Sequence, residues 1–307
     1  MASGSMSSSS TGKPGKREWR KFLSSPGLIF LIIVTQVPFV VAIYFSFNGW
    51  NLTRPASRGF LGWDRMWRNY SRILQNQDFY TVIWNTVVLT GSVVIITFIL
   101  GLMLAMLLNR PFPGRSLART LLISPFLVMP VAAAVLWKNV LLDPTFGFST
   151  LLQRSLGLPV NYLFESAPMA TVIAVVAWQW TPFVMLILLA GLQSLPDSTL
   201  EAASIDGASG FSLFRFIVLP HLKRFIEIAL LLETIFVLNV FGIIDIATAG
   251  GPGLATTNLP YQIFLEYTKR FNIGRASAYG IFAIILANIV VVFLLRIISK
   301  QQEEVAT

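Results

Sequence analysis

Six long apolar stretches follow one another along this chain of 307 residues. A helix needs about 20 predominantly apolar residues to cross the hydrocarbon core of a bilayer. Inside lipid, a helix satisfies all of its own backbone hydrogen bonds. The pattern therefore predicts an all-α integral membrane protein with six transmembrane helices. The predicted spans are 27–47, 81–108, 120–142, 167–192, 225–247 and 276–298.

The two ends of the chain are polar and flank this transmembrane domain, 27–298. Residues 1–26 are rich in serine, glycine and basic residues, which predicts a disordered basic N-terminus, and 299–307 form a short tail. Charged residues make up 12% of the chain, against roughly 25% in an average soluble protein. The net charge of +9 is expected to face anionic lipid headgroups, and we expect no nucleic-acid partner.

The distribution of basic residues predicts the orientation of the spans. Thirteen Lys and Arg residues lie on the side of the two termini and ten on the opposite side. Because positive residues favour the cytoplasm, Ser10 and Thr307 are expected to be cytoplasmic, and Ser57 and Thr256 external. The chain has no cysteine and one histidine, so we expect no disulfide and no metal site.

A charged segment, "EAASIDGASGFSLFRFIVLP" at 201–220, lies between the fourth and fifth spans. Ser198 and Glu201 fit a capping box at a helix start. Gly207 is expected to break that helix, and Pro220 to end a second short amphipathic helix. The pattern predicts two short helices at the cytoplasmic surface. These residues alone leave open whether the segment is an ordinary connector or a docking surface.

One spacing in this segment is informative. Glu201-Ala202-Ala203, then Gly207, then "IVLP" at 217–220 closely resembles the EAA loop of the membrane subunits of binding-protein-dependent ABC importers. The resemblance implies that the loop, here 193–224, inserts into a cleft of an ATPase subunit and transmits ATP-driven closure. The coupling residues that it implies are Glu201, Ala202, Ala203, Asp206 and Gly207.

The resemblance covers about residues 80–298. Within this range the sequence looks like the maltose-type carbohydrate permeases, above all those for sugar alcohols. It implies a permease subunit in the bacterial cytoplasmic (inner) membrane. The implied partners are a cytoplasmic ATPase dimer, a second homologous permease and an extracytoplasmic substrate-binding protein. The chain lacks a G-x-x-x-x-G-K-[ST] phosphate loop, so it is expected to bind no cofactor itself, with ATP and Mg on the ATPase.

The fourth and fifth spans carry the residues that suit a carbohydrate, because a sugar offers both C–H faces and hydroxyl groups. The candidate substrate-binding residues are Gln179, Trp180, Phe183, Glu233, Phe236 and Asn239. Trp180 stands where the maltose permease has a small residue, which implies a smaller ligand, a sugar alcohol or a monosaccharide. Packing remains an alternative for Trp180.

Glu233 is an acid in the middle of the fifth span. An unpaired carboxylate there costs roughly 2.5–3.5 kcal/mol on insertion scales. We expect Glu233 to face the translocation cavity and accept hydrogen bonds from substrate hydroxyls, or else to pair with a neighbouring helix.

A proton-coupled secondary transporter is the alternative function. Glu233, Glu227 and Asp245 would then form a proton relay. A membrane enzyme is a third class, for which one histidine and no cysteine leave little chemistry.

Overall fold

The computed structural model describes residues 15–57, 59–60, 62–63, 65–157 and 162–306, with side chains described between 26 and 296. Within these residues the regular elements are helices, and the only β-pairings there are isolated bridges. This agrees with the predicted all-α class. In chain order the helices are α1 (Gly15–Ser46), α2 (Arg68–Leu74), α3 (Gln77–Asn109), α4 (Arg115–Leu127), α5 (Pro130–Leu136), α6 (Phe148–Ser155), α7 (Leu163–Ser166), α8 (Pro168–Gln193), α9 (Asp197–Ile205), α10 (Gly210–Leu213), α11 (Leu219–Val237), α12 (Gly242–Ala247), α13 (Leu259–Thr268) and α14 (Ile273–Ala306).

Four segments of the described helices are long and apolar enough to cross a membrane. They are Pro26–Ser46, Gln77–Asn109, Pro168–Gln193 and Ile273–Arg296, and they correspond to the first, second, fourth and sixth predicted spans. If the bent pair formed by α4 and Pro130–Leu141 is counted as one span, the number rises to five. This is one fewer than the six spans predicted.

The third predicted span, 120–142, is not one straight helix. α4 and the segment Pro130–Leu141 meet at an angle of 103°. Pro130 lacks a backbone N–H, and a proline disfavours helical geometry in the residue before it. Met129 is accordingly extended, with φ −60° and ψ 140°. The proline that interrupts the apolar run therefore breaks the helix.

The fifth predicted span, 225–247, is divided between α11 and α12, which are separated by the break 238–241. α11 does not qualify as a span on length and composition. Its sequence explains this, because it carries Lys223, Arg224 and two glutamates.

The core of the molecule lies where α3 packs along α8. Leu89, Val93, Val176 and Leu188 are buried without exposed surface. A Cβ added to Gly101 would lie 3.0 Å from the backbone nitrogen of Met185 in α8. The absence of a side chain at Gly101 therefore permits the close helix contact that drives association inside lipid.

The ends of the chain differ from the prediction. α1 begins at Gly15, so residues 15–26, predicted to be disordered, are helical. α14 continues to Ala306, through most of the predicted tail. Lys, Arg and Glu are good helix formers, which allows each apolar helix to extend into its polar flank. Ser10 and Thr307 lie outside the described residues.

Candidate functional site

An exposed helical segment, residues 197–213, links α8 to α11 and is called the knob below. α9 ends in a Schellman motif, in which the N–H of Ala208 donates to the carbonyl oxygen of Ala203 at 2.9 Å and that of Gly207 to Ser204 at 3.1 Å. This motif requires a left-handed residue, which is usually glycine. Gly207 has φ +83°, as the prediction of a glycine break at this position requires.

The start of α9 corrects the predicted capping box. The helix begins at Asp197, after Pro196, and has no side-chain cap. Ser198 therefore lies inside the first turn, where its hydroxyl cannot cap the helix with Glu201. The capping box occurs instead at the start of α10, where the side chain of Ser212 accepts from the backbone N–H of Ser209 at 3.0 Å.

The prediction that Pro220 ends a helix is also wrong. α10 continues through the π-helical turn Phe214–Val218 into α11, and Pro220 lies in the first turn of α11. In the π turn the N–H of Leu219 bonds to the carbonyl oxygen of Phe214. The π turn shifts the hydrogen-bond register of the helix by one residue. Pro220 then lies at the start of α11, where a helix tolerates a missing N–H.

The knob presents both charge and apolar surface to its surroundings. Glu201, Ala202, Asp206 and Gly207 are exposed. Ile205 is 87% exposed and Phe211 76% exposed. Large apolar side chains grouped with charges on an exposed projection are typical of an interaction surface.

A cavity of about 320 Å³ lies between α4, α8 and the break that follows α11. It brings together four of the six predicted substrate-binding residues, Gln179, Trp180, Phe236 and Asn239. None of its described lining residues is charged. The full lining is Phe126, Val128, Pro130, Gln179, Trp180, Phe236, Asn239, Val240, Phe241, Gly242 and Ile243.

One wall of the cavity is an aromatic cluster of Phe126, Trp180, Phe183 and Phe236. Trp180 stacks on Phe236 with ring centroids 5.3 Å apart and an interplanar angle of 22°. Phe183 stacks on Phe126 at 5.6 Å and meets Trp180 edge to face at the same distance. Phe183 thus supports the wall from behind. Phe126 was not predicted as a site residue, because an aromatic residue beside a proline in an apolar span gives no distinct signal.

The two helix breaks form the rest of the cavity. At the break 128–129, the side-chain amide of Gln179 donates to the carbonyl oxygen of Val128 at 2.5 Å. At the break 238–241, the amide of Asn258 donates to the carbonyl oxygen of Val240 at 2.6 Å. A helix break frees carbonyls that need partners inside a membrane. Gln179 therefore has a structural role besides lining the cavity, and Asn258 carried no sequence signal.

Glu233 lies outside this cavity. Its side chain is fully buried, next to Thr97 of α3, and does not belong to the lining. Neither carboxylate oxygen has a hydrogen-bond partner among the described residues, and the hydroxyl of Thr97 donates to the carbonyl oxygen of Val93 at 2.8 Å. The carboxylate that was expected to face the translocation cavity is therefore absent from the lining of this cavity, and its contact with substrate stays a prediction.

A larger groove of about 830 Å³ lies between α3, α4 and α8. Its lining is almost entirely apolar, and its polar side-chain groups are three hydroxyls and the indole N–H of Trp178. Those of Ser124 and Thr181 already donate to backbone carbonyls of their own helices. The groove lacks the converging polar groups that orient a carbohydrate. The smaller cavity is therefore the better candidate for the substrate.

The described residues define a multi-pass helical membrane protein with an uncharged cavity at its broken helices and an exposed knob between α8 and α11. They contain no group of three His, Cys, Asp or Glu side chains that could hold a metal ion. The family described as "Binding-protein-dependent transport system inner membrane component" matches residues 98–303. The chain belongs to this family, and it is a multi-pass inner-membrane transport component.

Individual relatives agree with the family. The chain is 37% identical over 84% of its length to the "Probable ABC transporter permease protein y4oQ" of Sinorhizobium fredii, of which the match covers 82%. It is 36% identical over 85% of its length to the "Trehalose/maltose transport system permease protein MalF" of Thermococcus litoralis, with 86% of that protein covered. The resemblance to membrane subunits of binding-protein-dependent carbohydrate ABC importers is thus confirmed. The proton-coupled alternative is not favoured.

The fold itself has been seen before. The chain matches a bacterial ABC transporter "involved in the import of the acidic polysaccharide alginate" with a TM-score of 0.77 and 21% identity, covering 93% of this chain and 96% of the other. A second structure of an alginate transporter, in complex with a pentasaccharide-bound periplasmic protein, matches with a TM-score of 0.74 and the same identity, over 91% of this chain and 93% of the other. At this identity the likeness establishes the fold alone.

Proposed function

We propose that the chain forms half of the translocation pathway of an ATP-driven importer for a small uncharged carbohydrate, a sugar alcohol or a monosaccharide. The observation that carries the proposal is the cavity at the helix breaks. It offers the stacked faces of Trp180 and Phe236 beside the amide groups of Gln179 and Asn239. Aromatic faces suit the C–H surface of a sugar, and amides suit its hydroxyls.

The size and charge of the cavity support the ligand class. A volume of about 320 Å³ is at the lower end of the range of roughly 300–1,000 Å³ for ligand pockets. The absence of charge among the described lining residues argues against an anionic ligand, because a buried anion needs a paired charge. The proposed ligand therefore differs from the sn-glycerol-3-phosphate named for the UgpA relative of Agrobacterium fabrum.

The knob is proposed to bind the ATPase subunits. Exposed Glu201, Asp206 and Gly207 and the apolar Ile205 and Phe211 would enter a cleft on a cytoplasmic ATPase dimer. A second homologous permease would complete the pathway, and an extracytoplasmic binding protein would deliver the ligand. ATP and Mg would then be bound by the ATPase, and this chain would be a transport subunit without its own ATPase site.

The ligand class is tested with the complete complex, reconstituted in liposomes with its ATPase and binding protein. Stimulation of ATP hydrolysis is measured with D-mannitol, D-glucitol, D-glucose, maltose and D-gluconate. The proposal expects stimulation by a hexitol or the monosaccharide and none by gluconate. Stimulation by gluconate or by maltose alone would contradict the proposed ligand.

The orientation is tested by labelling single cysteines with a membrane-impermeant reagent. Both termini are proposed to be cytoplasmic, which places the knob inside and the loop between α1 and α2 outside. Thr256, predicted to be external, is fully buried, so exposed Ala56 and Ser209 are better positions. Ala56→Cys should react in intact cells and Ser209→Cys only after permeabilisation; the reverse pattern would invert the proposed topology.

A further inference from the structure

The loop 248–258, between α12 and α13, is closely packed. Thr256, Thr257 and Asn258 are at most 1% exposed. The hydroxyls of Thr248 and Thr256 lie 2.7 Å apart, and that of Thr257 donates to the carbonyl oxygen of Gly250 at 3.1 Å. These side-chain bonds fix the shape of the loop, so a movement of one part of it displaces the rest.

The loop is also attached to α3. The side-chain amide of Asn85 donates to the carbonyl oxygens of Leu254 at 2.6 Å and Thr257 at 3.1 Å. Immediately after the loop, the N–H of Leu259 donates to the hydroxyl of Thr86 at 2.9 Å. The end of the loop is thus held against one of the long helices of the core.

Asn258 connects this loop to the cavity. Its side-chain oxygen accepts from the N–H of Tyr261 at 3.0 Å and so caps the start of α13. Its side-chain nitrogen donates to the carbonyl oxygen of Val240 at 2.6 Å. Val240 and the preceding Asn239 line the cavity. One buried amide therefore ties the loop, the start of α13 and the wall of the cavity together.

The Val240 carbonyl needs this donor because the helix has ended before it. The N–H groups of Asn239 and Val240 bond to Phe236 and Val237, three residues back, which marks the end of α11. A carbonyl freed at a helix break in a membrane must find another donor, or the backbone rearranges until it does. The bond from Asn258 therefore selects one conformation of the break 238–241.

We propose that Asn258 is a positioning residue for the substrate cavity. By holding the Val240 carbonyl, it keeps Asn239 and Phe236 in the cavity wall and couples that wall to the loop 248–258. A displacement of the loop then reaches the Val240 carbonyl through this hydrogen bond, in addition to the chain connection through α12. This inference rests on the proposed function, because it takes the cavity to be where the substrate binds.

Two substitutions separate the two bonds of Asn258. Asn258→Ser keeps an oxygen that can cap α13, since serine is a good N-cap residue, but it lacks the length and the amide that reach Val240. Asn258→Asp keeps the size and the cap but removes the donor. Asn76→Ser is the matched control, because Asn76 caps α3 by accepting from Asp78 at 3.0 Å at an exposed position that does not line the cavity.

The readout is the ligand-stimulated ATP hydrolysis of the reconstituted complex, titrated with D-mannitol, D-glucitol and D-glucose. Loss of one buried hydrogen bond is expected to raise the half-saturating concentration by about fivefold to tenfold in both Asn258 variants. The maximal rate should change much less, and Asn76→Ser should match the wild type. A purely structural role would lower the amount of assembled complex and the maximal rate without a shift in half-saturation.

Unchanged half-saturation in both Asn258 variants would overturn the inference, as would failure of both to assemble. Trp180→Ala, measured in the same titration, separates this inference from the proposed function. If Trp180→Ala raises the half-saturating concentration and the Asn258 variants do not, the cavity binds the ligand and Asn258 does not position it. If Trp180→Ala has no effect, the assignment of the cavity fails.

Discussion

The knob and the cavity are built in opposite ways. The knob takes its residues from one short stretch, 197–213, and most of them are exposed. The lining of the cavity comes from positions between Phe126 and Ile243, contributed by α4, α5, α8, α11, α12 and the two helix breaks. The apolar surface of the knob can be buried only by a partner, whereas the cavity forms only when distant parts of this chain fold together. The difference predicts that substitutions in the knob change the rate of coupled ATP hydrolysis, and substitutions in the cavity change the response to ligand.

Glu201→Lys should have the largest effect. We expect the ATPase cleft to supply a basic residue to Glu201. Glu201→Lys would then bring like charges together in the interface, which costs several kcal/mol, so ligand-stimulated ATP hydrolysis should fall by more than about tenfold or the ATPase should be lost from the complex. Co-purification and ATP hydrolysis are the measurements. Glu165→Lys, at another exposed acid, is the control and should behave as the wild type. Normal ligand-stimulated ATP hydrolysis in Glu201→Lys would show that the knob does not contact the ATPase.

Gly207→Val should have the next largest effect. A Cβ at Gly207 would meet no atom within 4 Å, but its φ is +83°. The cost is therefore conformational, about 1–2 kcal/mol, which corresponds to a loss of stimulated rate of roughly fivefold to thirtyfold. Gly207→Asn is the matched variant, since asparagine tolerates this conformation better. Equal rates for the two variants would mean that the dihedral angles of Gly207 are unimportant.

Trp180→Ala should raise the half-saturating ligand concentration by about tenfold with little effect on the maximal rate, because it removes one face of the aromatic wall. Ile235→Ala is the control, as Ile235 is exposed, directly precedes Phe236 in α11 and is not part of the cavity lining. The titration described for the reconstituted complex measures both. A lower maximal rate at unchanged half-saturation would place Trp180 in coupling instead.

Glu233→Gln should have the smallest effect on the response to ligand. The carboxylate is buried outside the cavity wall, so half-saturation should change by less than about twofold, the effect of well under 1 kcal/mol. Thermal stability of the purified complex is measured in parallel. A large rise in half-saturation at normal stability would instead support the sequence-based prediction that Glu233 binds substrate hydroxyls.

The contrast also explains what the sequence could predict. The residues of the knob are close in sequence, so one spacing located Glu201, Ala203 and Gly207 together, and the left-handed turn at Gly207 follows from local geometry. The capping box was misplaced because Pro196 sets the start of α9 one residue before Ser198. Several capping residues within a few positions compete, and the sequence does not rank them.

The cavity was predicted less completely, because its geometry depends on helix breaks. The third span, which contains Pro125 and Pro130, was predicted as one span, and its bend of 103° was not predicted. No proline lies in 238–241, so the second break carried no local signal, and its stabilising donor, Asn258, is 18 positions away. Glu233 and Phe236 lie nearly on one helical face, but only the packing of α11 against α3 decides which of them reaches the cavity.

The central claim is that coupling and ligand binding lie in separate regions, and a double-mutant cycle tests it most directly. Gly207→Val, Trp180→Ala and the double variant are titrated with D-mannitol in the reconstituted complex. Distant, independent sites give effects that add within about 0.3–0.5 kcal/mol. The account predicts that the maximal rate falls only with the Gly207 substitution, that half-saturation rises only with the Trp180 substitution, and that the double variant shows both changes. A shift in half-saturation caused by Gly207→Val alone would contradict it.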